Sequence, residues 1–316
     1  MGRQSSRLFF NGKDHKDIYY QGHYHKAMYL GSELVWEKKN DYYGEFEFVV
    51  DSSIHAKTSF SFRGRFSVNW GDGCVETVEH LDIFTGDASH TYSEKSIHTI
   101  KISGIILLFD LNSDGRKSIK EVLTPIPKMK RYDFNRYFFN CGNLTKIPEN
   151  LFANYPNVTE FESCFEKCVN LTSIPENLFA NCPNATDFES CFYDCVNLTN
   201  IPENLFSNCP NATTFIGCFM FCENLTSIPK NLFENCPNAS NFGFCFKFCY
   251  DLTGIPENLF ANCPNVTSFD GCFESCHGIT SKVPELWKRT NVIEHYECFL
   301  GCENAVNYAD IPDDWK

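Results

Sequence analysis

Eighteen cysteines are the residues of this 316-residue chain most capable of chemistry, and seventeen of them lie at or beyond Cys141. They fall into columns: Cys164/191/218/245/272, Cys168/195/222/249/276 and Cys182/209/236/263. Two of the columns stand four residues apart, which invites a metal or disulfide reading. Zinc sites use closer cysteine pairs together with histidine, and no histidine recurs with this pattern. A disulfide needs Cα atoms about 4.4 to 6.8 Å apart with side chains aimed at each other. Successive turns of a repeat could supply the distance, but parallel side chains in one column aim poorly. The columns alternate with Phe and Leu, where a reduced thiol acts as a small buried hydrophobe. Buried, reduced thiols are therefore the expectation.

Two further sets could ligate metal. Asp110, Asn112, Asp114, Gly115 and Glu121 follow the D-x-N-x-D-G-x5-E spacing of a calcium loop. The apolar run Ile105 to Phe109 reads as a strand rather than an entering helix, so a plain Asx-rich turn is the competing reading. His23 and His25 share one strand face by two-residue alternation and could meet a metal across a trimer; a solvated strand face is the simpler assignment. No Gly-x-Ser-x-Gly, His-Glu-x-x-His or phosphate loop occurs, and the nine histidines are scattered. A glycosidase carboxylate pair is not visible in sequence, so the expectation is a protein without catalytic residues, cofactor or resident metal.

The formal charge of −13 opposes contact with phosphate backbones and argues against nucleic acid. No run approaches eighteen apolar residues, and MGRQSSRLFF lacks the apolar core of a signal peptide, so neither membrane insertion nor export is expected. Nine Asn-x-Ser/Thr sequons, at Asn143, 157, 170, 184, 197, 211, 224, 238 and 265, fall on two regular columns. Corner chemistry, with Asn hydrogen-bonding nearby backbone at bends, accounts for them better than glycosylation.

These columns all express one period. Leu144, Leu171, Leu198, Leu225 and Leu252 are 27 residues apart, as are Pro148, Pro175, Pro202, Pro229 and Pro256. Each period holds two arms of one template, NLTSIPENLFANC and NATDFESCFYDC. The spacing predicts a short strand, a corner and one helical turn per arm. Such a unit cannot bury its apolar face alone, so residues 126–316 are read as a leucine-rich-repeat-like α/β solenoid of 27-residue coils.

Ahead of it, residues 1–40 hold strand-like runs at Leu8–Phe10, Asp17–Tyr20, Ala27–Leu30 and Leu34–Trp36, separated by Asn11-Gly12, Gln21-Gly22 and Gly31-Ser32. They predict a β-meander too small to stand alone, which gains cover by docking or as a homotrimer. Residues 41–125 alternate as a β-sandwich. Asn69-Trp70-Gly71-Asp72-Gly73, His90-Thr91-Tyr92 and His98-Thr99-Ile100-Lys101-Ile102 resemble the PKD type of immunoglobulin-like domain, a spacer or binder.

NLTSIPENLF and CFxxC coils behind a PKD-like domain resemble BspA-like leucine-rich-repeat surface proteins and related bacterial and phage proteins. Lys26 through Trp36 resemble segments that open phage tail and baseplate proteins. These resemblances imply a non-enzymatic tail or baseplate protein, assembled in the bacterial cytoplasm and carried on the virion. Residues 1–40 would attach it to other subunits, and the coils would bind a host cell-surface glycan or protein. A BspA-like bacterial surface adhesin and a purely structural virion subunit are the alternatives. Positions that vary while their neighbours stay constant mark where binding could lie: Glu160/Asp187/Thr214/Asn241/Ser268, Glu162/Glu189/Ile216/Gly243/Asp270 and Glu166/Tyr193/Met220/Lys247/Glu274. In the third and fourth coils such positions turn apolar together, so Ile216, Met220, Phe221, Phe244 and Phe248, with Tyr193, form the candidate site.

Overall fold

The computed structural model describes residues 8–10, 13–15, 28–30, 33–36, 42–82 and 84–316. Near the start, β1 (Leu8–Phe10) pairs antiparallel with β2 (Lys13–His15), and β3 (Met28–Leu30) with β4 (Glu33–Trp36). Among the described residues these are two separate two-stranded hairpins. The expected strand Asp17–Tyr20 and the pair His23 and His25 lie outside the described residues.

A six-stranded antiparallel sheet follows: β5 (Tyr43–Asp51), β6 (Lys57–Asn69), β7 (Val75–His80), β8 (Gly86–Thr91), β9 (Ile97–Leu111) and β10 (Ile119–Val122). Its order is β10-β5-β9-β6-β7, and β6 is long enough to pair with β8 along Lys57–Phe62 and with β7 along Gly64–Asn69. Phe46 lies opposite Ile102, yet its ring sits 5.5 Å from that of Phe109, seven residues further along β9. A straight strand would put Phe109 about 23 Å beyond Ile102, so β9 must fold over. The bend falls where the β6–β9 register slips at Arg63/Gly64 and where Gly64 and Gly104 both take φ 146. The curled sheet encloses Phe46, Phe48, Phe60, Phe66, Phe109 and Trp70, all buried.

Strand β10 also joins the repeat region. Glu121 bridges Lys146 in parallel, Val122 N–H donates to the Lys146 carbonyl, and Lys130 N–H reaches back to the Leu107 carbonyl. The apolar core runs unbroken from the sheet into the coils.

Within the coils the expected strand and helical turn are both replaced. The only sheet-like pairing is one isolated parallel bridge per coil, through Asp133, Glu160, Asp187, Thr214, Asn241, Ser268 and Glu294. Donors alternate between two destinations. Phe161, Ser163, Phe165 and Lys167 N–H groups donate to the next coil, to Asp187, Glu189, Cys191 and Tyr193 carbonyls at 2.8–2.9 Å. Between them, Cys164, Glu166 and Cys168 donate three residues back within their own coil at 3.1–3.2 Å. A helix cannot propagate because every fourth residue turns left-handed: Ser163 and Lys167, Ser190 and Asp194, then Gly217 and Phe221. The α/β character expected of the solenoid is thus corrected to stacked turns, and the described coils contain only the short 3-10 segments Leu286–Lys288, Tyr308–Asp310 and Asp313–Trp315.

What holds the stack is a set of ladders running along its axis. The Phe138/165/192/219/246/273/299 rings lie 5.3–5.8 Å apart and nearly parallel. The Phe152/179/206/233/260 column presents ring edges to the Phe161/188/215/242/269 column at 4.7–5.0 Å. Offset and edge-on contacts of this kind add about 0.5–1.5 kcal/mol per pair beyond area burial.

Cysteine fills the gaps between these rings, and all seventeen repeat cysteines are buried free thiols. The column choice has a polar reason as well. Cys195, Cys222 and Cys249 Sγ–H groups donate to the Phe165, Phe192 and Phe219 carbonyls of the preceding coil, each at 3.3 Å. Alanine would fit there but would leave that second carbonyl contact empty.

Asparagines form ladders too, and here the corner reading is corrected. Asn184, Asn211 and Asn238 Nδ2 donate to the Pro156, Pro183 and Pro210 carbonyls, each at 3.0 Å and 28 residues away. Asn170 and Asn197 reach the Gly142 and Val169 carbonyls in the same way. The bond ties one coil to the previous one instead of stabilising a local bend. Asn211→Asp would replace a donor by a carboxylate facing the Pro183 carbonyl, with an expected loss of about 1–2 kcal/mol. A lower urea midpoint at unchanged slope would register it; an unmoved midpoint would show that the ladder contributes nothing.

Candidate functional site

The bridging column lines one face of the solenoid. Its residues were read above as free to vary; most have a structural task instead. Asp187 and Asn241 Oδ1 accept from the N–H two residues on, in Glu189 and Gly243, at 2.8 Å each. Thr214 and Ser268 hydroxyls approach the Ile216 and Asp270 N–H groups at 3.4 and 3.5 Å. Small polar residues here close Asx- or Ser/Thr-type turns, so exchange among Asp, Thr, Asn and Ser conserves one function. Glu160 departs from that set, and Asn135 compensates: its Oδ1 accepts from Glu162 N–H and its Nδ2 donates to the Glu160 carboxylate.

Side chains next to this column are the ones that can meet a ligand. Tyr193, Ile216, Met220, Phe221, Phe244 and Phe248 are all half-buried. Several are brought together: Tyr193 meets Phe221 edge-on at 5.5 Å, and Phe221 stacks on Phe248 at 4.5 Å. Phe248 then contacts Tyr250 at 6.0 Å, which stacks on His277 at 5.9 Å, extending an aromatic ridge across successive coils. Lys247 Nζ lies 5.2 and 4.9 Å from the Phe244 and Phe248 ring centres and 2.5 Å from the Glu274 carboxylate. Ile216 and Met220 belong to the same coil as Phe221.

The left-handed backbone is common to the coils, but the residue type under this ridge is unusual. Phe221, Phe244 and Phe248 take φ of 61, 58 and 62°, at positions where other coils place Ser, Asp, Lys, Asn, Arg, Glu or Gly. A left-handed conformation costs a bulky residue about 1–2 kcal/mol. Three phenylalanines carry that cost on neighbouring coils, in a region only half covered, and strain of this sort collects at functional sites.

Carboxylates flank the ridge along the axis. On the N-terminal side burial raises the Glu189 carboxyl, helped by Asp187 and Glu162, and burial likewise raises Asp194 against the pull of Lys167. On the C-terminal side burial raises Asp270, with Glu294 and Glu297 adding repulsion. The face therefore reads acidic, apolar, acidic. Sequence reasoning named Lys247 and Glu274 only as members of a varying column and did not single out Tyr250 or His277. For Tyr250 and His277 the available signal was the Gly142/Val169/Val196/Glu223/Tyr250/His277 column, which turns aromatic at its end.

The calcium-loop residues do not converge. Asp110 pairs with Arg131 at 2.6 Å, and burial raises its carboxyl despite that partner. Asp114 pairs with Lys57 at 3.0 Å and His55 at 3.1 Å, and their hydrogen bonds lower its carboxyl. Asn112 caps α1 (Ser113–Ser118), accepting from Gly115 N–H, and Glu121 lies in β10. Among the described residues no group of three or more His, Cys, Asp or Glu could hold a metal ion, and no helix is long and apolar enough to cross a membrane.

Comparison with known proteins gives a partial match. Residues 134–267 match the family described as "BspA type Leucine rich repeat region", in six copies. No curated protein matches the chain. A solved structure titled "Crystal structure of TLR13-ssRNA13 complex" is 12% identical over 52% of this chain, with a TM-score of 0.13. This chain spans only 34% of that one.

Proposed function

We propose, taking the BspA-type repeats as the premise, that this chain is an adhesion protein whose coils present the Tyr193–Phe221–Phe248–Tyr250 ridge to a receptor on a cell surface. The observation that carries the reading is the three left-handed phenylalanines. Nothing in coil packing requires them, and in other coils smaller or polar residues occupy their positions. Adhesion then proceeds without chemistry. In its full form the reading is a phage tail or baseplate protein: residues 1–40 attach to other subunits, the curled sheet acts as a PKD-like spacer, and the coils bind a host glycan or protein. The BspA-type repeat match supports a bacterial surface adhesin equally, and the same ridge would serve it.

The test is binding of the purified full chain to a panel of gut and oral bacteria, beside the Phe221→Ser/Phe248→Ser variant. Wild-type binding that falls at least tenfold in the folded variant is the expected result, since aromatic anchors that become buried on binding commonly contribute about 2 kcal/mol each. Undiminished binding by the variant would remove the ridge from the mechanism. No binding by either protein would favour a purely structural subunit. Mass spectrometry of purified virions and of bacterial surface fractions separates the two settings.

A further inference from the structure

Charge beside the aromatic ridge is placed column by column. Coil-to-coil hydrogen bonds hold the columns in register: Ser190 N–H donates to the Ile216 carbonyl at 2.8 Å, and Phe221 N–H to the Lys247 carbonyl at 2.9 Å. In three columns a carboxylate occupies the coil immediately before a member of the apolar patch, Glu189 before Ile216, Asp194 before Phe221 and Glu223 before Tyr250. On the far side the first of these columns returns to a carboxylate at Asp270. All four carboxylates are half-buried. The ammonium groups of this face are already matched: Lys167 Nζ lies 3.6 Å from the Glu166 carboxylate and Lys247 Nζ 2.5 Å from that of Glu274. Among the described residues Glu189, Asp194, Glu223 and Asp270 make no ion pair. Burial and like-charged neighbours raise the Glu189 and Asp270 carboxyls, and an arriving cation relieves that repulsion.

We propose, resting on the reading of the ridge as a receptor site, that its partner is a polypeptide: an extended segment with a basic side chain at each end of an apolar centre, laid along the coils from Glu189 to Asp270. Three coil steps separate those carboxylates, about 15 Å at the usual spacing of neighbouring strands. In an extended chain residues i and i+4 lie on one face about 13 Å apart, with residue i+2 between them. The first basic side chain then meets Glu189 and Asp194, the second meets Asp270, and the apolar one covers Ile216, Met220 and Phe221. Charge complementarity of this kind selects the partner and sets its register. A sugar chain fits less well, because Ile216 and Met220 offer no hydrogen-bond partner to replace the water its hydroxyls would lose. A second copy of this chain, at a formal charge of −13, would set carboxylate against carboxylate.

The experiment is calorimetric titration of the full chain with three blocked peptides, Arg-Ala-Leu-Ala-Arg, Glu-Ala-Leu-Ala-Glu and Arg-Ala-Ser-Ala-Arg. The first should bind about tenfold more tightly than either of the others, and added salt should weaken it. Glu189→Gln/Asp270→Asn, which keeps the aromatic ridge, should weaken it about tenfold at an unchanged urea midpoint. Equal binding of the acidic peptide would overturn the proposal. So would undiminished binding by the carboxylate variant, or a millimolar basic peptide that does not bind. Treated cells separate this proposal from the adhesion reading. Cells that lose binding after protease treatment and keep it after periodate support both. If protease-treated cells still bind, periodate-treated cells do not, and Phe221→Ser/Phe248→Ser abolishes binding, then adhesion by the ridge stands and the polypeptide partner is refuted in favour of a glycan. Selective peptide binding without any cell binding would remove the adhesion reading and leave the polypeptide site.

Discussion

Raising the pH through 9 to 10 should unfold this protein cooperatively, with a midpoint of about pH 9.5 in the presence of reductant. Its seventeen buried thiols set that limit. In the unfolded chain each ionises near its ordinary value of 9.0, whereas in the coils burial pushes Cys141, Cys182 and Cys302 up to about 12, Cys263 to about 11 and the remainder higher. Below pH 9 both states hold their protons, so the thiols do not affect the balance. Between the unfolded and folded values only the unfolded state releases them, and each thiol then shifts the equilibrium toward unfolding by about 1.4 kcal/mol per pH unit. Even a few tenths of a kcal/mol per thiol, multiplied over the columns, matches the usual total stability of about 5–15 kcal/mol. Circular dichroism against pH would read the transition. Replacing the Cys168/195/222/249/276 column by Ala should move the midpoint upward, although it weakens the fold at neutral pH. A native protein still folded at pH 11 would refute the account. Thiol titration at pH 8 offers an independent check: only exposed Cys74 should react before denaturant is added.

Phe219→Ala and Phe221→Gly, two residues apart, should have opposite consequences. Phe219 is fully buried and stacks on Phe192 and Phe246 at 5.5 Å each. Its truncation opens a cavity in a ladder whose rungs touch only their neighbours, and about 3–5 kcal/mol should be lost. Phe221 is half-buried and left-handed. Glycine there relieves about 1–2 kcal/mol of backbone strain while giving up the Tyr193 and Phe248 ring contacts, so stability should stay within about 1 kcal/mol of wild type. Urea midpoints of the two variants decide the matter, and cell binding should follow the reverse order: retained in whatever folded Phe219→Ala remains, and lost with Phe221→Gly. A Phe221→Gly protein destabilised as much as Phe219→Ala would make the ridge part of the core.

The candidate site was legible in part for a simple reason. Phe221, Phe244 and Phe248 stand out because a repeat declares what each column normally holds, so a departure shows without any structure. Tyr250 and His277 did not stand out, because their approach to those rings depends on which side of the coil their column faces. The Asp187/Thr214/Asn241/Ser268 column misled for the opposite reason: chemically varied residues perform one turn-closing task that a sequence comparison scores as variation.

By itself the sequence determined the solenoid, its 27-residue coil, its phenylalanine, leucine and cysteine interior and the place where the surface changes character. Period and polarity are properties of single residues and their spacing. Only the tertiary structure decided that the coils are stacked turns rather than strands and helical turns, that asparagines bridge coils, and that Arg116 and Arg131 cap the first coil's carbonyls. For the turns and the asparagines the deciding hydrogen bond joins a residue to one 26 to 28 positions away, and local propensity carries no information about partners at that distance.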